Sequence, residues 1–396
     1  MNAPLDPDRR RLLRASLAAA APWCSLAFAG QAGADANRFV MVVLRGGLDG
    51  LAAVPPIGDA DFVPARGALA RFATPPLALD SRFALHPQLV QLHAMVGRGE
   101  ALVVHAVGLP YHERSHFDAQ QVLESGGVRP YEIQTGWLGR ALAANGAKGV
   151  ALSTAVPLVL RGPGTVDTWA PSVLPEPSAD LVARLERMYD HDRALATALA
   201  RAKALHFDAP AMAATAGMGD GAGRGGNFPL LAQRAAEFLA QPAGPQAAVL
   251  ELGGWDTHAN QTAPNGALAN NLRTLDAGLA ALRDGLVAGG AWKRSVVVVA
   301  TEFGREVAIN GTQGTDHGSG GAAFVLGGAV KGGRVVGDWP GLAKRDRFEG
   351  RDLRTTTDLR ALLKGVLGPH LGVATRALDR DVFPGSEGVR AVELLA

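Results

Sequence analysis

The chain has 396 residues, with 39 Lys and Arg against 37 Asp and Glu, which gives a formal net charge of +2. This near balance offers no argument for a nucleic-acid partner, which calls for a strongly basic surface. The 50 glycines and 24 prolines are typical of a loop-rich enzyme rather than of a helical bundle. The length suffices for one large α/β domain or two smaller ones, and we favour one domain, with insertions, over residues 38–396.

The first 29 residues have the pattern of a twin-arginine export signal. Arg9, Arg10 and Arg11 precede a mildly apolar Ala/Leu stretch, and residues 27–29 offer a small-x-small cleavage site. The apolar stretch is interrupted by Pro22 and is too short for a permanent membrane span, which needs about 20 residues. We therefore predict export by the twin-arginine translocation machinery to the periplasm or the medium. The alternatives are an uncleaved anchor or a basic tail.

Cleavage after residue 29 changes both the charge and the ligand chemistry of the chain. It removes four arginines and two aspartates, which brings the formal charge to zero. The only cysteine, Cys24, lies within the signal, so the mature chain has no disulfide and no thiolate ligand. Any metal ligands must therefore be oxygen or nitrogen atoms. Twin-arginine export carries folded proteins, which suits a metalloprotein loaded in the cytoplasm.

Apolar runs typical of buried strands alternate with amphipathic helical patterns along the chain. These runs predict strands at 39–44, 101–107, 247–252, 296–299 and 322–326, and helices at 115–124, 179–205, 230–239 and 268–286. Ser115 is a good N-cap for the first of these helices. The alternation predicts an α/β fold with a doubly wound, mostly parallel sheet and helices on both faces. A Gly-rich segment near 217–226 is predicted to be a flexible surface loop.

Three short polar clusters adjoin the predicted strands, at residues 253–258, 301–305 and 314–318. Open α/β sheets bind ligands at the carboxyl ends of their strands, which is where Glu302 would lie. Asp256 and His258 are two residues apart, so both can face one ion from an extended loop. Asp316 and His317 are adjacent and usually point to opposite sides. The clusters predict a metal site, and adjacent ligands that point apart favour two ions over one.

A mixed carboxylate and imidazole set suits divalent ions such as Zn²⁺ or Mn²⁺. Two such ions about 3.5–4 Å apart stabilise both the attacking and the leaving oxygen of a phosphoryl-type displacement. The alternative is that Asp256 and Asp316 only cap turns and that the histidines hydrogen-bond to them. Three clusters at successive strand ends favour the metal site over this alternative.

Ser115 is the candidate nucleophile. At a helix N-terminus beside a metal, its hydroxyl would be acidified by coordination, and free backbone N–H groups would face a developing phosphate or sulfate charge. The same serine can equally be a plain N-cap. His116 is a candidate ligand or a donor to one. Arg45, Arg114 and Arg305 are candidates to bind an anionic substrate, unless each pairs with a neighbouring carboxylate.

Five motifs in order resemble those of the domain-of-unknown-function 1501 family, at residues 44–50, 114–118, 253–258, 301–305 and 314–318. The resemblance covers about residues 38–375. That family is similar to the alkaline phosphatase and sulfatase superfamily, whose members are doubly wound α/β metal hydrolases. The resemblance therefore implies an alkaline-phosphatase-like fold, with Ser115 at the position of the superfamily's Ser or Thr nucleophile.

The resemblance also implies ligand roles for several residues. Asp256 and His258 resemble the superfamily's late Asp and His pair, although that pair is usually spaced more widely. His317 resembles its final histidine ligand. Asp49 is matched to its first aspartate, although it lies farther beyond the first strand.

The motif at residues 301–305 departs from the superfamily at two positions. Glu302 would replace an aspartate ligand, whereas Phe303 stands where the superfamily has a histidine ligand. Asp316 could then supply the ligand that Phe303 has lost. These departures leave open whether the site holds one ion or two.

Three functions are compatible with these residues. The leading one is an exported hydrolase that uses two Zn or Mn ions and Ser115 to cleave a small anionic phosphate or sulfate ester. The second is a periplasmic binding or assembly protein that kept the fold and a structural metal but lost turnover, which Phe303 favours. The third is a metal-free serine hydrolase that pairs Ser115 with His258 or His317, although no Gly-x-Ser-x-Gly elbow surrounds this serine.

Overall fold

The computed structural model describes residues 35–171, 177–207, 227–262 and 266–396, with the side chains of 204–207 left out. Within these residues a nine-stranded sheet has the order β10-β4-β9-β8-β1-β7-β5-β6, and β11 also pairs with β4. The separate β2 and β3 form a small hairpin-like pair. The strands are β1 (Arg38–Leu44), β2 (Leu77–Ala78), β3 (Ala84–Leu85), β4 (Ala101–Gly108), β5 (Lys148–Ala151), β6 (Thr165–Thr168), β7 (Ala247–Leu252), β8 (Ser295–Thr301), β9 (Gly321–Leu326), β10 (Val335–Val336) and β11 (Thr357–Asp358).

Helices connect most of the strands. The α-helices of the described residues are α1 (Gly50–Ala53), α2 (Phe62–Arg66), α3 (Val90–Gly97), α4 (His116–Ser125), α5 (Trp137–Ala144), α6 (Ala179–Tyr189), α7 (Arg193–Phe207), α8 (Phe228–Ala240), α9 (Ala267–Ala288), α10 (Leu359–Leu371) and α11 (Thr375–Ala377). None of the helices in this part of the chain is long and apolar enough to cross a membrane.

The sheet is mostly parallel, as the sequence predicted. The pairs of β1 with β7 and β8, and of β5 with β6 and β7, are parallel. Strand β9 runs antiparallel to both β4 and β8. Because β9 is reversed, the residues that precede it lie at the same edge of the sheet as the residues that follow β1, β7 and β8.

Apolar side chains cover both faces of the sheet, which confirms the predicted doubly wound arrangement. Alternate residues of β1 belong to two different cores, with Val40, Val42 and Leu44 in one and Phe39, Met41 and Val43 in the other. Helices α3, α8 and α9 contribute to the first core, and α4, α5 and α10 to the second. Since each β1 residue is buried, the uninterrupted apolar run is explained by burial on both faces.

One predicted element differs from the structure. The helix expected over 179–205 is two helices, α6 and α7, because the Asp192 carboxylate accepts hydrogen bonds from the N–H groups of Ala194 and Leu195 and starts a new helix there. The other predicted strands and helices are present within a few residues. The predicted signal at 1–29 and the Gly-rich loop at 217–226 lie outside the described residues.

His105 is a packed, buried residue of β4. Its Nε2 lies 2.9 Å from the carbonyl oxygen of Val54, and its Nδ1 accepts a hydrogen bond from the N–H of Ala106 at 2.9 Å. The ring is therefore neutral, with its proton on Nε2. Burial lowers the pKa of His105 from 6.5 to about 4.

Because His105 is neutral in the folded chain, we expect the free energy of unfolding to fall in acid. Below pH 6.5 the unfolded chain takes up a proton that the folded chain does not accept until pH falls to about 4. The free energy of unfolding should therefore fall over this window, by up to about 3 kcal/mol from this residue. Urea unfolding at pH 7 and pH 5 measures the fall, and His105→Gln should reduce it. Equal pH dependence in both proteins would contradict the prediction.

Candidate metal centre

Three histidines and one aspartate converge at the carboxyl edge of the sheet. Oδ1 of Asp256 lies 2.9 Å from Nε2 of His258, 3.1 Å from Nε2 of His317 and 3.4 Å from Nε2 of His116. The ligand atoms of His116, Asp256 and His317 lie within 4.8 Å of one another, and Nε2 of His258 is 3.1 Å from Nε2 of His317. These four side chains present nitrogen and oxygen atoms to one small volume.

The topology of the sheet explains why they meet. Asp256 and His258 follow β7, His116 begins α4 after β4, and His317 precedes the reversed strand β9. The segments after β8 and before β9 are joined by hydrogen bonds, from the N–H of Gly318 to the Gly304 carbonyl at 2.9 Å and from Glu306 to Asp316 at 2.8 Å. The convergence predicted from strand ends is therefore present for Asp256, His258 and His317.

Each converging imidazole is held through its Nδ1 atom, the ring nitrogen that does not face Asp256. The Nδ1 contacts are His116 to Oε1 of Glu302 at 2.8 Å, His258 to Oδ1 of Asp316 at 3.0 Å and His317 to the carbonyl oxygen of Arg114 at 2.9 Å. Metal-binding histidines usually donate their second N–H to such an acceptor, which leaves the opposite nitrogen free for the ion. Nε2 of His116 is buried and has no hydrogen-bond partner among the described residues. The donor set therefore fits a divalent cation.

Glu302 lies behind His116 rather than among the converging atoms. It is fully buried, and its carboxylate accepts hydrogen bonds from the Gly46 N–H at 2.8 Å, from Gln120 at 3.1 Å and from the Thr301 hydroxyl at 2.9 Å. Burial alone would raise the pKa of Glu302, but the hydrogen bonds from His116, Gln120 and Gly46 lower it. The hydrogen bond with Glu302 in turn raises the pKa of His116. Glu302, predicted as a ligand, thus orients His116.

Asp316 has the corresponding position behind His258. Its Oδ1 also accepts a hydrogen bond from the Asn310 amide at 3.1 Å. This hydrogen bond and the one with His258 lower the pKa of Asp316. The structure therefore places Asp316, like Glu302, against an imidazole and not at the point of convergence. Burial lowers the pKa of His317, which keeps that ring neutral and available as a ligand.

Arg305 fixes Asp256. Its side chain is buried, its Nη1 lies 2.5 Å from Oδ1 of Asp256, its Nε donates to the Thr315 hydroxyl at 3.1 Å, and its Nη2 donates to the Thr315 carbonyl. Burial opposes the charge of Asp256, but the hydrogen bond and charge of Arg305 lower the pKa of this carboxyl. Asp256 is therefore an anion whose orientation is set by a buried guanidinium.

The other two candidate arginines also pair with carboxylates. Arg45 contacts Glu251 at 2.5 Å and Glu124 at 2.9 Å. Arg114 contacts Asp352 at 2.8 Å and Glu349 at 2.5 Å. The structure therefore shows the alternative given for Arg45 and Arg114, which is pairing with neighbouring carboxylates. Contact of these arginines with an anionic substrate stays a prediction.

Asp49 lies outside the converging group. It is fully buried and caps α1 through the N–H groups of Leu51 and Ala52. Its Oδ2 contacts Nη2 of Arg66 and Nε2 of Gln261, both at 2.5 Å. Protein groups therefore occupy both oxygens of this predicted ligand.

Ser115 is the N-cap of α4, directly before His116. Its Oγ accepts a hydrogen bond from the N–H of Asp118 at a long 3.5 Å. Phe303 is 4% exposed and packs against two of the converging rings, with centroid distances of 4.7 Å to His116 and 5.1 Å to His317. Phe303 thus forms an apolar wall of the site.

Sequence reasoning missed the amide groups that support the site. Gln261 accepts hydrogen bonds from Thr257 and Thr315, each at 2.8 Å. Because Gln261 also donates to Asp49 and Thr315 accepts from Arg305, a chain of hydrogen bonds joins Asp49 to Arg305. Gln120 supports Glu302. A single glutamine has no spacing signature of its own, and the one available signal was that Gln120 lies four residues after His116 on a predicted helix.

The close approach of Gly46 to Asp256 explains one glycine of the first motif. Gly46 has φ of +120°, and a Cβ there would lie 2.7 Å from the backbone nitrogen of Asp256 and 3.0 Å from that of Trp255. We expect Gly46→Ala to lower the free energy of unfolding by about 2–4 kcal/mol, because the backbone strain adds to the steric clash. Gly311→Ala is the control, since nothing lies within 4 Å of its Cβ position. Equal urea midpoints for the two variants would refute the prediction.

Comparison with known proteins places the chain in a family. The model of a family described as "Protein of unknown function (DUF1501)" matches residues 94–380, which is more than half of the chain. The chain belongs to this family. No curated protein matches its sequence. The family resemblance stated from the five motifs is thus confirmed.

Solved structures similar to this DUF1501 protein include sulfatases and a phosphodiesterase. The PsFucS1 sulfatase from Pseudoalteromonas sp. is 13% identical, with a TM-score of 0.46 over 100% of this chain and 77% of that chain. A putative sulfatase from Bacteroides thetaiotaomicron is 10% identical, with a TM-score of 0.43 over 91% and 74%. Inactive murine ectonucleotide pyrophosphatase/phosphodiesterase 5 in complex with AMP is 10% identical, with a TM-score of 0.34 over 68% and 57%.

Proposed function

We propose that this protein is an exported, metal-dependent hydrolase of phosphate or sulfate esters. The observation that supports it is the convergence of three Nε2 atoms, of His116, His258 and His317, on one oxygen of Asp256. Imidazole and carboxylate ligands with held Nδ1 atoms suit Zn²⁺, and Mn²⁺ accepts the same mixed set. When bound, the ion would supply Lewis-acid stabilisation of charge on the ester oxygens.

The residues of the chain supply the rest of the proposed reaction. The Ser115 hydroxyl attacks phosphorus or sulfur, the alcohol leaves, and water then hydrolyses the seryl ester. Ser115 adjoins His116 in sequence, and the first N–H groups of α4 favour negative charge near it. Arg305 and Asp256 hold each other in place. Phe303 limits water on one side of His116 and His317.

The converging donors account for one ion. The two-ion site expected from the sequence stays a prediction, because Asp49 is held by Arg66 and Gln261, and Asp316 by His258 and Asn310. We also propose that residues 1–29 are removed on twin-arginine export and that 38–396 form one α/β domain. A periplasmic or secreted location follows from that proposal.

Ser115 variants test the nucleophile separately from the helix cap. We expect Ser115→Ala and Ser115→Asn to lose at least about 10³-fold in turnover of p-nitrophenyl phosphate or p-nitrophenyl sulfate, because neither carries the attacking hydroxyl. Metal content should stay unchanged, since Ser115 is not among the converging ligands. Asn retains an N-cap, so only Ala should lower the free energy of unfolding, by about 1 kcal/mol. Full turnover in Ser115→Asn would rule out this nucleophile.

A catalytically silent binding or assembly protein is the second candidate, and Phe303 favours it. The ring packs on His116 and His317 where the superfamily has a histidine ligand. Bound metal without turnover of any phosphate or sulfate ester would support this candidate. Turnover that survives chelation but not Ser115→Ala would instead support a metal-free serine hydrolase.

A further inference from the structure

We propose that Gln120 is a positioning residue of the metal centre, which holds Glu302 against His116 and so fixes the imidazole nitrogen that faces Asp256. This inference rests on the proposed metal-dependent function. It assigns a role to a side chain that makes no contact with the converging ligand atoms and acts only through Glu302.

The Gln120 amide has one orientation that satisfies both of its partners. Its Nε2 donates to Oε1 of Glu302 at 3.1 Å, and its Oε1 accepts from Nη1 of Arg45 at 3.1 Å. A flipped amide would set its NH₂ group against a guanidinium and its oxygen against a carboxylate. Gln120 also lies one helical turn after His116, so the two side chains share a face of α4.

Arg45 is a fixed anchor for this amide. Its guanidinium binds Glu251 through two hydrogen bonds, at 3.0 and 2.5 Å, and Glu124 through a third at 2.9 Å. Glu124 is itself held by the N–H of Val159 at 3.0 Å. The position of Gln120 is therefore set from β7 and from α4, independently of the metal centre.

The effect of Gln120 on the orientation of His116 follows from the groups that donate hydrogen bonds to Glu302. Oε1 of Glu302 accepts from Gly46, Gln120 and His116, so His116 donates from Nδ1 and its Nε2 faces Asp256. Loss of the Gln120 donor frees Glu302 to rotate about its last side-chain bond. Removal of such a supporting contact typically weakens metal affinity 10–100-fold.

The test compares two adjacent glutamines of the same helix. Gln120→Met keeps the length of the side chain but removes both hydrogen bonds. Gln121→Met is the matched control, because Gln121 is also half-buried and its side chain makes no hydrogen bond within the described residues. In the full chain we expect Zn²⁺ to bind about tenfold more weakly to Gln120→Met by calorimetry, with no change in Gln121→Met.

A second readout does not depend on metal binding. In the metal-free chain, at a pH high enough for the His116 ring to be neutral, ¹⁵N chemical shifts of His116, assigned by comparison with His116→Gln, report which ring nitrogen carries the proton. We expect Gln120→Met, and not Gln121→Met, to shift from a proton held on Nδ1 towards a mixture of tautomers. Unchanged shifts together with unchanged Zn²⁺ affinity would overturn the role of Gln120.

Failure of the proposed function gives a different result. If the unaltered chain binds no Zn²⁺, the metal centre is wrong, whereas the ¹⁵N shifts still decide whether Gln120 sets the His116 tautomer. Gln120→Glu serves if the Met variant does not fold. It keeps an acceptor for Arg45 but sets a carboxylate against Glu302, so it should weaken Zn²⁺ binding at least as much as Met does, and an affinity equal to that of the unaltered chain would overturn the inference.

Discussion

The Asp256→Ala/His317→Ala variant is expected to lose all of the tightly bound divalent metal that the unaltered protein carries when it is purified without chelator. Asp256 supplies the only carboxylate oxygen at the point where the described Nε2 atoms converge, and His317 supplies one of those nitrogens. With both removed, only the imidazoles of His116 and His258 are left, and two such ligands bind Zn²⁺ or Mn²⁺ too weakly to retain the ion at micromolar concentrations. Elemental analysis by mass spectrometry gives the metal-to-protein ratio directly.

A variant with the same two residue types at the surface is the control. Asp190→Ala/His191→Ala removes one exposed carboxylate and one exposed imidazole between α6 and α7. Its metal content should equal that of the unaltered protein. Equal metal in the two double variants would place the ion elsewhere or nowhere. One equivalent lost would support a one-ion centre, whereas two equivalents lost would support the two-ion prediction from the sequence.

Much of the fold could be predicted from local patterns. An apolar run such as 296–299 indicates a strand buried on both faces, and the alternation with helices indicates a parallel sheet. The direction of β9 could not be predicted in this way, because its apolar run reads the same for either direction. That reversal brings His317 to the same edge as Asp256, so the meeting of the two clusters depends on topology and not on spacing.

The candidate site was predictable as a set of motifs but not as a set of roles. Spacing identifies Glu302 and His116 as members, yet it cannot show which of the two faces the convergence point. The structure shows that His116 is the one that faces it. Glu302 is buried behind His116 and accepts three hydrogen bonds at Oε1, whereas Nε2 of His116 has no hydrogen-bond partner in the described part of the chain. The same limit applies to Asp49, whose motif position resembles that of a ligand but whose oxygens bind Arg66 and Gln261.

Arg66→Met is expected to lower the free energy of unfolding by about 3–5 kcal/mol, because it leaves the carboxylate of Asp49 buried without its counter-charge. Both side chains of this pair are essentially inaccessible to water, and they meet at 2.5 Å. Nη1 of Arg66 also donates to the carbonyl oxygens of Glu306 and Val307, at 3.2 and 3.1 Å. The segment after β8 would therefore lose its anchor together with the ion pair.

Two comparisons separate this effect from the general cost of removing an arginine. Arg184→Met breaks an Asp–Arg pair that is two-thirds exposed, with Asp180, and should cost no more than about 0.5 kcal/mol in urea unfolding. Asp49→Leu/Arg66→Met replaces both charges by apolar groups. It should recover only part of the loss, because no unpaired charge remains but Leu51, Ala52 and Gln261 lose their acceptor. If Asp49 is a metal ligand instead, the double variant will lose bound metal while Arg66→Met retains it. If Asp49 is structural, the double variant will keep its metal, and the urea midpoint of Arg66→Met will show the larger change.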